Sequence, residues 1–310
     1  MEELLLVALA GFCAAVVDGA LGMGFGPTSS TILLSSGLSP AAASTTVNLA
    51  KVVTGFAGAV AHWRFSNIDH KLVLRLAGPG VVGAALGATV LARVDGDAIR
   101  PLLALLLLVI GVRILLRFSR RVVARSADPA PDVDAAVEAG PGPDPVGAGA
   151  EGPGVSVAAG IGGVTNGLVG AWGPVVTPVL MHRGVPPRYA IGSVNTAEVA
   201  VAVVAAGSLL SSGNGAGLDL GIVAAMLAGG LVGAPLAAGV VRYIPARVLG
   251  LACAALLMIT QTHALVGGGH VPVPGWVAYP VIAVVVAVAA LRPRLEQRRT
   301  PAAAESVGSR

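Results

Sequence analysis

The chain has 310 residues, of which 55% are hydrophobic and 12% are charged, and its formal net charge is +4. In soluble domains about a quarter of the residues are charged, so a soluble fold could not bury this much apolar surface. The hydrophobic residues come in runs of about twenty, the length of a membrane-spanning helix. The basic residues lie at the ends of these runs and not in a patch with aromatic residues, which argues against a nucleic-acid partner. We therefore expect an all-α protein whose surroundings are the lipid bilayer.

Hydrophobic runs follow one another along the chain at 4–35, 40–61, 72–92, 98–117, 155–183, 187–210, 218–241, 246–266 and 275–291. A stretch rich in Pro, Gly, Ala and acidic residues separates the fourth run from the fifth, and such a composition predicts disorder. The chain thus divides into a first membrane repeat at 1–117, a disordered linker at 118–153, a second membrane repeat at 154–266, and a final transmembrane helix with a basic tail at 267–310.

Cys13 and Cys253 lie in separate apolar runs, without His or Cys neighbours at metal-ligand spacing. We therefore expect neither a disulfide nor a metal site, and no cofactor is indicated.

The two halves share an internal duplication, which is common in membrane transporters. One fixed offset aligns Gly26-Pro27 with Gly173-Pro174, Asn48 with Asn195, and Lys51 with Glu198. A slightly larger offset aligns Gly83-Ala84 with Gly233-Ala234. Chance matches of Gly and Ala are easy in such a composition, but a matched Asn together with a matched intramembrane charge is not.

The first run of each half is too long for one ordinary span, and glycine and proline interrupt it near its middle, at 19–27 and at 167–174. Each run is therefore predicted to form two short half-helices joined by irregular backbone. Such backbone is tolerated at membrane depth only where protein or water satisfies its polar groups, so both breaks should face the interior.

The positive-inside rule predicts the topology. If each broken run turns back, the loops rich in arginine and lysine all fall on the cytoplasmic side, at 64–75, 113–125, 183–188, 242–247 and from 292 onward. If each run crossed instead, one strongly basic end would lie outside. We therefore predict two inverted repeats, each a broken re-entrant helix pair plus three transmembrane helices, with one extra C-terminal transmembrane helix. The protein would lie in the inner membrane of the cell with its linker and C-terminus in the cytoplasm.

These segments resemble the sulfite exporter TauE/SafE family of membrane permeases. The resemblance is carried by the break ending in Gly26-Pro27, by residues 37–43, Asn48 and His62, and by residues 83–87, with their counterparts in the second half. It covers about 4–117 and 155–266. The chain departs from the denser glycine clusters of the family at Met23, Phe25, Ala171 and Trp172. The resemblance implies a permease for a small anion such as sulfite, a sulfonate, or another sulfur or carboxylate anion.

Lys51 and Glu198 lie near the middle of their runs, and an ionisable group at that depth is a functional candidate by default. Asn48 and Asn195 precede them by three positions and so share their helical faces. Two interpretations of the charges remain open. They contribute to substrate binding or proton coupling, or they form an ion pair that only holds the repeats together.

The breaks themselves are the second candidate site. Half-helices starting at Pro27 and Pro174 would present free N–H groups and positive dipole ends to an anion, beside Gly26, Gly173 and the hydroxyl of Thr28. The hydroxyl group could equally cap backbone.

Two further residues flank the breaks. Asp18 precedes the first break and is either a coupling residue or a helix cap, and Trp172 either lines the cavity or packs.

An intramembrane enzyme is disfavoured because the chain lacks His-Glu-x-x-His and Gly-x-Ser-x-Gly motifs and a pair of buried aspartates. An anion channel or a membrane scaffold remains the alternative to a coupled permease. The expected partners are a small anionic solute and lipid, and a homo-oligomer is left open.

Overall fold

The computed structural model describes residues 2–21, 23–119, 146–213, 219–240 and 246–299, and within these ranges there are helices and no β-strand. The α-helices are α1 Glu2–Leu21, α2 Phe25–Ser35, α3 Pro40–Arg64, α4 His70–Arg93, α5 Gly96–Ser119, α6 Pro153–Val169, α7 Gly173–His182, α8 Pro187–Ser211, α9 Leu220–Val240, α10 Ala246–Gly267 and α11 Gly275–Arg299. Each predicted hydrophobic run thus corresponds to one helix or to one broken pair.

Both long runs break where glycine and proline predicted it. Helix α6 ends because Gly170 adopts a left-handed backbone conformation with φ +68°, and its N–H donates to the Asn166 carbonyl at 2.8 Å. The first break differs in detail from the expectation. Helix α2 begins at Phe25 and not at Pro27, because the side chain of Asp18 accepts a hydrogen bond from the Phe25 N–H at 3.2 Å.

Several helices are long and apolar enough to cross a membrane. Among the described residues these spans are His70–Arg93, Gly96–Ser119, Pro187–Ser211 and Arg247–Gly267, with shorter apolar stretches at Leu4–Asp18, Leu220–Gly233 and Gly275–Leu291. Helix α3 is of similar length but is not one of them, because its buried face carries Ser, Thr, Asn and Lys side chains. The protein is therefore a polytopic membrane protein with a polar helix in its interior.

The two halves interlock. Helix α1 of the first half packs along α9 of the second, and α4 of the first packs along α6 of the second. The counterparts α3 and α8 pack on each other, as do α5 and α10. Each half therefore buries its helices largely against the other half.

Glycines make the closest of these contacts. On α4 and α6, a Cβ added at Gly83, Gly87 or Gly163 would overlap a backbone carbonyl of the facing helix. The same holds for Gly11 and Gly229 where α1 crosses α9. The small residues at 83–87 and 229–233 thus allow close helix packing.

The C-terminal part of the predicted linker lies within the described residues. Residues Gly147–Ala150 form a 3₁₀ helix, and Arg75 of α4 donates to the Ala150 carbonyl at 2.8 Å and pairs with Glu151. Residues 120–145 lie outside the described ranges, as do 300–310 of the basic tail. Helix α11 continues beyond Arg292, where the sequence predicts the tail, to Arg299.

Candidate transport site

Helices α3 and α8 cross near their midpoints and bring the aligned charges together. The ammonium of Lys51 forms an ion pair with Oε1 of Glu198, and the two side chains are only 6% and 15% exposed. The cost of burying an unpaired charge at this depth is avoided because each charge neutralises the other.

Lys51 uses its remaining donors as well. Its Nζ lies 3.0 Å from Oδ1 of Asn166 and 2.6 Å from the carbonyl oxygen of Gly170. Gly170 follows the last residue of α6, where the helix dipole is negative and favours a cation. An ammonium has three N–H donors, so Lys51 is fully satisfied in this state. It has no free donor left for a ligand.

An amide cluster supports the ion pair. Nδ2 of Asn166 donates to Oδ1 of Asn48 at 2.7 Å, and Nδ2 of Asn48 donates to the carbonyl of Ser44 at 2.9 Å. Asn48 is completely buried. It therefore ties α3 to α6 and does not face a cavity.

Asn195, which the sequence treats as the equivalent of Asn48, has different surroundings. It is half-buried, lines the cavities described below, and makes no side-chain hydrogen bond within the described part of the chain. Of the two aligned amides, Asn195 is therefore the one available to a ligand.

The two breaks touch each other beside this cluster. A Cβ on Gly26 would overlap the carbonyl of Gly170, and one on Gly170 would lie 2.6 Å from Cγ1 of Val47. Ser30 of α2 also donates to the carbonyl of Val169 at 2.7 Å. Only glycine allows the backbones to approach this closely.

Three adjoining cavities surround the breaks. The largest, about 580 Å³, lies between α5, α6 and α7. The smallest, about 10 Å³, has room for about one water molecule and is lined by both breaks, including Gly26, Pro27, Gly173 and Pro174. The third, about 330 Å³, lies between α1, α3, α8 and α9. We call the smallest cavity the constriction. It shares Met23 and Pro174 with the first cavity, and it shares Asp18, Lys51, Asn195 and Glu198 with the third. The three cavities therefore follow one another, with the constriction in the middle.

Asp18 caps a helix and also lines two of the cavities. Its carboxylate caps α2 through Phe25 N–H, and it also lines the 330 Å³ cavity and the constriction. The charged groups lining that cavity are Asp18, Glu198 and Lys51, which are two carboxylates against one ammonium. With both carboxylates ionised, the cavity is negative and opposes an anion.

Two predicted residues lie away from the cavities. Trp172 is completely buried, and its Nε1–H donates to the Val194 carbonyl at 3.0 Å while its ring packs against Gly80. The Thr28 hydroxyl faces Cys253 Sγ at 3.5 Å. Their positions favour packing over ligand contact.

The chain is similar in sequence to known membrane proteins. Residues 7–264 match the sequence profile described as "Sulfite exporter TauE/SafE". The chain belongs to the TauE/SafE family. The chain is also 35% identical over 267 residues to the "Probable membrane transporter protein YtnM" of Bacillus subtilis (strain 168), an alignment that covers 86% of this chain and 84% of that one. No solved structure matches the chain.

The TauE/SafE match includes every residue of the site and ends before α11. Asn166, a hydrogen-bond acceptor for Lys51, was not among the residues predicted from the sequence. The duplication held the signal, because Asn166 occupies roughly the place of Asp18 in the other half. Arg117 was not predicted either, because its position beside Met23 depends on the packing of α5 against the first break.

Proposed function

We propose that this TauE/SafE protein is a permease that moves a small sulfur or carboxylate anion across the cell membrane by alternating access coupled to protons. The observation that carries the proposal is the group of Asp18, Lys51 and Glu198 at the point where both broken helices meet. Family membership and the name of the Bacillus relative support transport, and the family name supports a sulfur oxyanion as the first substrate to test.

We also propose that the halves are inverted repeats in the membrane. The paired contacts support this, since exchanging the two halves turns the packing of α1 on α9 into that of α6 on α4. The distribution of arginine and lysine supports the orientation, with the linker and C-terminus in the cytoplasm.

The charge balance explains why protons would be needed. An anion about 4 Å from one uncompensated carboxylate is opposed by about 4 kcal/mol at an effective dielectric constant of about 20. Protonation of Asp18 or Glu198 removes that excess negative charge. An anion and a proton would then pass the constriction together, and neither would pass efficiently alone.

The test is Asp18→Asn in reconstituted liposomes. Asparagine keeps an oxygen that can accept the Phe25 N–H, so α2 remains capped, but it cannot take up a proton. We expect sulfite uptake driven by a pH gradient to fall at least about tenfold, while sulfite exchange at equal pH persists.

Asp69→Asn is the matched control, because Asp69 caps α4 through Leu72 N–H at 2.7 Å and lines none of the three cavities. If Asp18→Asn takes up sulfite at the wild-type rate under a pH gradient, Asp18 does not couple proton and anion transport. If the rate of sulfite flux through the wild type does not depend on the pH gradient, the anion-channel alternative is favoured.

A further inference from the structure

We propose that Arg117 and Arg113 of α5 form an oxyanion-binding site in the 580 Å³ cavity. The inference rests on the proposed function, because it names where the transported anion first binds. In the proposed orientation this site lies on the cytoplasmic side, since α5 ends at Ser119 and leads into the linker.

Arg117 is a half-buried cation that lacks a strong acceptor. Its Nη1 contacts Met23 Sδ at 3.1 Å, its Nη2 contacts Met181 Sδ at 3.6 Å, and its guanidinium lies 5.7 Å from the centre of the Phe118 ring. A thioether sulfur is a weak acceptor, so most of the hydrogen-bonding capacity of the guanidinium is unused. Neither Arg117 nor Arg113 forms an ion pair with any described residue.

Some other arginines of the described chain have oxygen partners. Arg75 pairs with Glu151, Arg100 pairs with Asp97, and Arg247 donates to the carbonyls of Phe118, Ala289 and Ala290. Arg117 differs from these three, because its hydrogen-bond acceptors among the described residues are the sulfur atoms of Met23 and Met181.

Arg113 doubles the positive charge. It lies four residues before Arg117, one helical turn away on the same face of α5, and it lines the same cavity. Two like charges at this spacing disfavour the helix unless an anion lies between them. His182 of α7 also lines the cavity, and the described lining contains no Asp or Glu.

The cavity leads towards the breaks. Met23, which contacts Arg117, and Pro174 line both this cavity and the constriction. The cavity beyond the constriction carries two carboxylates and one ammonium. The positive charge that attracts an anion is thus on the near side of the constriction, and the groups that can take up a proton are on the far side.

The experiment measures binding of sulfite to the purified full-length protein in neutral detergent by calorimetry. A guanidinium forms paired, charge-assisted hydrogen bonds with an oxyanion, so Arg117→Gln should weaken sulfite binding at least about tenfold. Arg117→Lys keeps the charge without the planar fork and should give an intermediate affinity. Because the described polar contacts of Arg117 are with two thioethers and one aromatic ring, the thermal unfolding midpoint of both variants should stay near that of the wild type.

Arg188→Gln is the matched control. Arg188 is an exposed arginine on α8 that stacks on Tyr189 at 4.7 Å and does not line the cavity, so its removal changes net charge equally. Sulfite binding should be unchanged in this variant. A second arm titrates short-chain phosphatidylglycerol, because apolar side chains of Val109 and Leu116 also line the cavity and an oxyanion could come from lipid.

Unaltered sulfite affinity in Arg117→Gln would overturn the site and leave the proposed function intact. If Arg117→Gln loses phosphatidylglycerol binding but not sulfite binding, the site is likewise overturned, because the arginines then bind lipid. If the wild type neither binds nor transports sulfite, sulfate or acetate, both the arginine site and the proposed function are wrong. Asp18→Asn is scored by pH-driven transport and Arg117→Gln by calorimetric binding, so failure of the arginine site and failure of the proposed coupling are distinguished.

Discussion

Lys51 is held by three acceptors of different kinds: a carboxylate, an amide oxygen and a helix-terminal carbonyl. Removing one partner of a buried ion pair costs about 3–5 kcal/mol, because the other charge is left unpaired, whereas replacing both by apolar side chains is often neutral. The stability of the fold and the function of the pair can therefore be separated by experiment.

We expect Lys51→Met to lower the thermal unfolding midpoint, because Glu198 is then buried without its counter-ion. The double variant Lys51→Met with Glu198→Met should recover most of the loss, since the two charges are removed together. Transport should be absent from both variants if the pair takes part in the mechanism. Uptake by the double variant at the wild-type rate would show that the pair only holds the two repeats together.

At the scale of elements, glycine decides how closely helices approach. Where α4 crosses α6, Gly83 lies against the carbonyl of Gly160, and where the breaks meet, Gly26 lies against that of Gly170. Lipid supplies little hydrophobic force between helices, so close van der Waals contact has to hold these crossings together.

Gly83→Ala should destabilise the purified protein by about 1–3 kcal/mol, because its methyl group overlaps a backbone atom that cannot rotate away. Gly78→Ala, on the same helix, is the control. A Cβ there meets nothing within 4 Å, so the change should be neutral or slightly stabilising because alanine favours helix. Equal unfolding midpoints for the two variants would contradict the close crossing.

At the scale of the whole molecule, the candidate site depends on the packing of the two halves against each other. The cavities draw residues from both halves, with Asp18 and Lys51 from one and Glu198 and Asn195 from the other. Neither half contains the site by itself. An inverted arrangement of such halves would give two related packings of the same helices, which is what alternating access requires.

The topology can be tested with single cysteines in a chain from which Cys13 and Cys253 have been replaced by alanine. Ser212→Cys, exposed after α8, should react with a membrane-impermeant maleimide in intact cells. Ser126→Cys, in the predicted linker, should react only after the membrane is opened, since Arg120, Arg121 and Arg125 precede it and predict a cytoplasmic position. Labelling of Ser126→Cys in intact cells would reverse the orientation.

The helices and the two breaks could be predicted from the sequence. Run length, glycine and proline are local properties of the chain, and they predicted the ends of most helices to within a few residues. Tertiary structure decided the site. Which of two equivalent amides faces a cavity, which acceptors hold Lys51, and whether Arg117 has an oxygen partner all depend on helix rotation and on distances between segments far apart in the chain. No local pattern encodes those distances, so Asn48 and Asn195 look alike in the sequence although only Asn195 lines the cavities.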